Sequence, residues 1–199
     1  MSYLLLAFAY LLGSVSSAVL VCRAWGLSDP RSEGTGNPGA TNVRRIGGNM
    51  PAAVTLVADL FKGAIAVLIG HAMGLSPTWL MLVGAAAFLG HLYPLFFGFR
   101  GGKGVPTLLG VCLAFDAALG LAVSGTWLVM AKGFKVSSLS ALIATALSPI
   151  YAWLLNIPMQ AIFILIAMVI LLWWRHRDNI RRLMSGNEER IGNSYTRHE

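Results

Sequence analysis

Three polar stretches interrupt an otherwise apolar chain, and each combines residue types that can hold an anion. The first is Gly34-Thr35-Gly36-Asn37-Pro38-Gly39-Ala40-Thr41-Asn42, with Arg45 just beyond it. Alternating glycines let consecutive backbone N–H groups turn inward as a concave nest suited to phosphate oxygens. Gly34, Gly36, Asn37 and Asn42 would line that nest, and Arg45 would add a planar, permanently charged fork. The second stretch is Phe99-Arg100-Gly101-Gly102-Lys103-Gly104. It is not a Walker A loop: Phe97 stands where GxxxxGK[ST] needs its first glycine, and Gly104 follows the lysine. Gly101, Gly102 and Gly104 still let backbone approach an anion. Lys103 supplies a cation, and the helix that follows offers its positive N-terminal end. The third stretch follows the last apolar run and holds His176, Asn179, Arg182, Gly186 and Glu188. His176 and Asn179 are three apart and share a face if the helix continues past Trp174. An imidazole and an amide are both suited to phosphate or carbonyl oxygens.

Each stretch taken singly also fits a plain structural role. The first reads as a turn-rich connector, the second as a hinge with two snorkelling cations, the third as a basic helix against anionic lipid. Asp59 and Lys62, three apart inside an apolar run, read as a structural pair that neutralises itself, or as a functional intramembrane charge. His71 and His91 read as core histidines. Cys22 and Cys112 read as small buried hydrophobes, and no residue set has metal-ligand spacing.

These groups must be positioned by membrane helices. Of 199 residues, 56% are hydrophobic and 12% charged, where soluble domains carry about 25% charged residues. That excludes a soluble enzyme, a disordered tail and a disulfide scaffold. The 22 glycines suit helices that approach closely in lipid. The fold class is all-α, a polytopic integral membrane protein. Runs long enough for roughly 30 Å of hydrocarbon lie at 3–22, 51–73, 77–98, 137–155 and 158–174. Stretch 105–131 is too long for one span and short for two. Fourteen of the fifteen Lys and Arg lie outside the runs. A single crossing by 105–131 divides them six against eight, whereas a reversal near Asp116 puts all fourteen on one face. The positive-inside rule selects the reversal. The reading is seven helices, the fourth and fifth short, with the N-terminus outside and the C-terminus cytoplasmic. No cleavable leader is expected, since no Lys or Arg precedes Tyr3. One domain covers 1–199, ending in a short basic tail at 175–199. The net charge of +7 faces lipid headgroups, not nucleic acid.

In combination the stretches are far more specific. GTGNPGATNxxR, HLYPLFFGFRGGKGVPT and HRDNIRRLxxGxE, in that order, closely resemble the three motifs of the bacterial acyl-phosphate:glycerol-3-phosphate acyltransferases, the PlsY family. The Asp59-Leu-Phe-Lys62-Gly63 element and Gly13-Ser14-Val15-Ser16-Ser17 resemble it too. The resemblance implies a seven-helix inner-membrane enzyme with a cytoplasmic site. Such an enzyme moves a fatty acyl group from acyl-phosphate, not from acyl-CoA or acyl carrier protein, to position 1 of sn-glycerol 3-phosphate. Lysophosphatidate and phosphate are the products. It implies site roles for Thr35, Arg45, Gly101, Gly102, Lys103, Gly104, His176 and Asn179. Glu188 matches the acidic residue ending the third motif, where a structural role is expected. Two departures stand out: Thr35 where the family usually has serine, and Arg100 where lysine is common. Threonine keeps the hydroxyl but crowds it, which argues against an obligatory acyl-enzyme there.

Acyl-phosphate is an activated mixed anhydride, so no metal, redox group or other cofactor is expected. The expectation is direct transfer, with the glycine-loop amides, Thr35, His176 and Asn179 orienting acyl-phosphate while Arg45 and Lys103 clamp glycerol phosphate. The proton acceptor is either His176 or the donor's own phosphate, the latter favoured. Expected partners are the two substrates, membrane lipid and a transient contact with the enzyme that makes acyl-phosphate. The rival class is a small anion transporter, which would place its site near the bilayer midplane between paired repeats.

Overall fold

The computed structural model describes residues 2–191. Among these residues ten α-helices follow one another: α1 Ser2–Gly13, α2 Ser17–Ala24, α3 Ala40–Gly47, α4 Asn49–Ala72, α5 Pro77–Leu92, α6 Val105–Phe115, α7 Ala117–Phe134, α8 Ser137–Leu154, α9 Met159–Arg175 and α10 Arg177–Met184. Among the described residues there is no strand. The all-helical class expected from composition is observed.

Pro77–Phe97, α4, α7 and α8 are each long and apolar enough to cross a membrane. The α1–α2 and α9–α10 pairs meet the same test jointly, bent by 40° and 60°, and α6 is a shorter apolar helix. Large side chains point away from the bundle along these helices: Phe61, Leu68, Leu121, Val129, Phe163 and Ile170 are all more than half exposed. In water such a surface would drive association, so it marks the face that meets lipid. The core is built from Met81, Phe88 and Leu92 of α5 with Leu108 of α6, Leu119 of α7, and Leu165 and Leu172 of α9.

Between lipid-embedded helices the attraction is close contact, and glycine makes it possible. A Cβ at Gly13 or Gly90 would lie 2.0 Å from the Ala87 carbonyl oxygen or 2.1 Å from that of Tyr10, so α1 and α5 touch along their backbones. Gly63 and Gly110 bring α4 and α6 equally close.

Several expected boundaries are revised. The run 3–22 is not one helix; it breaks after Gly13 and resumes at Ser17. The break leaves backbone carbonyls without helical partners, and Lys62 Nζ donates to the Val15 oxygen at 3.1 Å. Stretch 105–131 does turn back at Asp116, whose carboxylate accepts the Leu119 N–H at 2.8 Å and caps α7. Gly120 then packs directly on the Leu113 backbone. Of this pair only α6 is markedly short, at 11 residues against 18 for α7. Loop 23–49, read as a connector, contains α3. The helix does not continue smoothly past Trp174; it bends by 60° at His176, so α10 leaves the bundle axis. Within the expected tail, 177–184 is helical, while 192–199 lie outside the described residues.

Candidate active site

The second polar stretch is shaped by three anchors. After α5, Tyr93 and Pro94 lead into a single 3-10 turn at Leu95–Phe97, and Gly98 takes a left-handed conformation that ends it. The chain then runs back under itself: Gly102 N–H donates to the His91 oxygen at 3.2 Å. A side chain on Gly101 would strike the His91 and Leu92 oxygens at 2.1 and 2.5 Å, and one on Gly102 would strike His91 Nε2 at 2.3 Å. Gly104, at φ +89°, makes the left-handed turn into α6, whose first turn accepts Pro106 because no helical N–H is lost there. From above, Arg175 donates to the Gly101 oxygen at 2.7 Å and to the Gly102 oxygen at 3.1 Å, with its guanidinium 5.6 Å from the Tyr93 ring.

Beneath the loop lies a buried charge cluster. Lys62 Nζ stands 2.9 Å from Asp59 Oδ1, and His91 Nδ1 stands 3.6 Å from the same oxygen. All three residues are at most 5% exposed. The expected structural pair is thus an ion pair with a third member, and the Asp59–Lys62 spacing of one helical turn is what lets them meet.

Lys103 donates to Asn179 Oδ1. The Asn179 amide donates in turn to Glu188 Oε1 at 2.5 Å, which also accepts from Ser138 Oγ at 2.6 Å, while Arg182 Nε donates to Glu188 Oε2 at 2.7 Å. Burial works against the Glu188 carboxylate, but the hydrogen bonds from Ser138, Asn179 and Arg182 outweigh it and hold its carboxyl below the usual range. Burial pushes the Lys103 ammonium down to about 8, with repulsion from Arg182, Arg175 and Arg45 adding to it and Glu188 opposing it. Four cations, Lys103, Arg45, Arg175 and Arg182, therefore converge on one place with only the carboxylates of Glu188 and Glu189 against them, which leaves an excess of positive charge that suits an anionic ligand.

The first stretch closes the ring. Arg45, on α3, pairs with Glu189 at 2.6 Å. Pro38 presents its oxygen 3.1 Å from the Cβ position of Gly102. Asn42 is buried and spends its amide on the loop itself, donating to the Pro30 and Glu33 oxygens at 2.8 and 2.9 Å and accepting the Thr35 N–H at 2.9 Å. It therefore shapes the loop, and one of the nest's expected donors is already engaged. Gly34 (φ +63°) and Gly36 (φ +69°) take left-handed turns on either side of Thr35, which is exposed; Asn37 is half-buried. His176 is 3% exposed, with Nδ1 2.9 Å from the Leu172 oxygen, which leaves Nε2 as its second hydrogen-bonding position.

The three stretches, distant in sequence, thus meet through Lys103–Asn179, Arg175–Gly101, Arg45–Glu189 and Pro38–Gly102. Arg175, Ser138 and Glu189 were not singled out from sequence. Arg175 sits next to His176 but resembles any arginine closing a membrane helix, and nothing local marks Ser138 as reaching a residue fifty positions away.

Fold and cluster define a helical membrane protein with cations and backbone donors gathered at one end of its bundle. A family model described as glycerol-3-phosphate acyltransferase matches residues 3–186. The glycerol-3-phosphate acyltransferase of Hydrogenovibrio crunogenus is 56% identical, covering 94% of this chain and 90% of that one. That of Methylococcus capsulatus is 52% identical over 96% of both. Among solved structures, PlsY, an integral membrane glycerol 3-phosphate acyltransferase, superposes with a TM-score of 0.91 in its glycerol 3-phosphate form, at 38% identity over 96% of both chains. Its lysophosphatidic acid form gives 0.88 at 36% identity, over 96% of this chain and 95% of that one. The chain belongs to the glycerol-3-phosphate acyltransferase family, of the PlsY type, and is an integral membrane protein.

Proposed function

We infer that the chain transfers a fatty acyl group from acyl-phosphate to position 1 of sn-glycerol 3-phosphate in a single step, at the cytoplasmic face of a bacterial inner membrane. The charge distribution favours seven spans with the N-terminus outside, and the helix break at Asp116 supports that reading. The observation that carries the reading is the chain Lys103–Asn179–Glu188, tied to Arg45 through the adjacent Glu189: it unites all three motifs where two phosphorylated molecules must meet.

Two anionic groups held side by side repel, so catalysis here requires converging cations and donors. Arg45 and Lys103 clamp the glycerol phosphate. The glycine-loop amides other than that of Gly102, which is held by the His91 oxygen, orient the acyl-phosphate together with Thr35, His176 and Asn179. The acceptor's hydroxyl oxygen attacks the acyl carbon, the bond from that carbon to the phosphate oxygen breaks, and phosphate departs carrying the hydroxyl proton. Because the leaving phosphate accepts that proton, no side chain has to titrate, and His176 serves as a hydrogen-bonding partner. Proximity and charge stabilisation supply the acceleration. Contact with the enzyme that forms acyl-phosphate is transient and brings the donor to the membrane.

The test is to incubate purified protein in lipid nanodiscs with glycerol 3-phosphate and either palmitoyl phosphate or palmitoyl-CoA. Lysophosphatidate forming with palmitoyl phosphate and not with palmitoyl-CoA is the expected result; the reverse overturns the donor assignment. Retained turnover in His176→Gln at saturating substrate excludes a required histidine base, and its loss with unchanged substrate affinity restores one.

A further inference from the structure

A cavity of about 880 Å³ opens beside the α2 C-terminus and the Leu95–Phe97 turn. None of Thr35, Arg45, Lys103, His176 and Asn179 lines it. Its apolar wall includes Leu20, Leu27 and Phe96, of which Leu20 is 45% and Phe96 58% exposed. Its polar wall carries Arg23, Arg31 and Arg100 with a single carboxylate, Asp29. Arg31 is committed to Asp29 by hydrogen bonds of 2.6 to 3.2 Å. Arg23 and Arg100 have no ion-pair partner among the described residues, and both are exposed. The cavity thus has an apolar wall of membrane-helix residues and a rim with two uncompensated positive charges.

We propose that this groove binds an anionic phospholipid of the surrounding bilayer, its phosphodiester between Arg23 and Arg100 and its upper acyl chain against Leu20 and Phe96. The volume falls in the range of small-molecule sites, and basic recesses beside membrane helices suit acidic headgroups. The occupant is a bilayer lipid and not the acyl donor, because none of the residues assigned to acyl transfer lines the groove. The groove's far wall reaches the catalytic loop: Arg31 donates to the Phe97 oxygen at 3.4 Å and stacks 5.8 Å from the Phe97 ring, and Arg100 directly precedes Gly101. An occupant therefore braces the turn that leads into the glycine loop.

The test uses the full chain in nanodiscs of phosphatidylcholine with a minority of phosphatidylglycerol, followed by gentle detergent extraction and quantitation of retained lipid by mass spectrometry. Wild-type protein retains phosphatidylglycerol in preference to phosphatidylcholine. Arg23→Gln/Arg100→Gln loses that preference about tenfold, the size expected for two charge-assisted contacts of roughly 0.7 kcal/mol each. Lys132→Gln/Lys135→Gln, which removes the same charge elsewhere, keeps it. Leu20→Trp fills the groove without touching a charge and also loses it. Equal loss in both charge variants, retention in Leu20→Trp, or displacement of the lipid by lysophosphatidate at its catalytic concentration overturns the proposal. Because retention is read without turnover, its failure is separable from failure of the acyl-donor assignment.

Discussion

Gly102 is where the glycine loop rests on a buried imidazole, and one added methyl group tests what that contact does. A Cβ there falls 2.3 Å from His91 Nε2, 3.0 Å from its Cε1 and 3.1 Å from the Pro38 oxygen. The first of these is roughly 1.2 Å short of a favourable contact. His91 cannot swing away cheaply, since it is 5% exposed and its other nitrogen faces Asp59. The loop must rise instead, taking Lys103 with it. Overpacking of this kind costs about 1–3 kcal/mol, and misplacing a reacting group by about 1 Å costs on the order of 10²-fold in rate. Gly102→Ala is therefore expected to remain folded by size-exclusion profile while kcat/KM for glycerol 3-phosphate falls about 10²-fold. The assay is lysophosphatidate formation from labelled glycerol 3-phosphate. Gly125→Ala is the control: its Cβ meets nothing within 4 Å, and its rate is expected to stay within about twofold. A Gly102→Ala protein with wild-type kcat/KM refutes the claim that the buried imidazole sets the height of the loop.

Glu189 occupies Arg45 with a half-exposed carboxylate. Glu189→Gln is expected to lower KM for glycerol 3-phosphate by up to about fivefold, because such an ion pair is worth about 0.2–1 kcal/mol; a raised KM contradicts this. Lys103, held down to about 8, is charged below that pH and neutral above it. Anion binding should therefore weaken as pH rises through about 8, visible as a falling alkaline limb of kcat/KM that Lys103→Arg removes. In the buried cluster, Asp59→Asn or Lys62→Met alone leaves an uncompensated charge and is expected to cost about 3–5 kcal/mol. The double substitution should recover much of the loss in thermal inactivation assays. Additive losses would contradict the pairing.

Composition and charge placement carried the class of fold and the reversal at Asp116, because lipid imposes its constraints through simple sequence quantities. The break between α1 and α2 was not legible. An apolar run with two or three serines can be straight or bent, and what stabilises the bend, Lys62 on the Val15 oxygen, comes from a residue 47 positions away. α3 was hidden because its glycine- and asparagine-rich flanks read as turns. The residue types of the site could be read from the motifs, but their connections could not. Asn42 looked like a ligand and is a clamp on its own loop. Arg175 looked like an interfacial anchor and holds the carbonyls of Gly101 and Gly102. Both differences arise because a polar side chain's role depends on which backbone groups tertiary packing leaves unsatisfied near it.

The central claim is that both phosphorylated molecules occupy one pocket together before any bond changes. Initial rates measured while palmitoyl phosphate and glycerol 3-phosphate are varied independently test it most directly. Intersecting reciprocal plots, with no acylated protein detectable by mass spectrometry when the donor is supplied alone, are the expected result. Parallel plots, with an acyl group trapped on Thr35 or any other side chain, would contradict it.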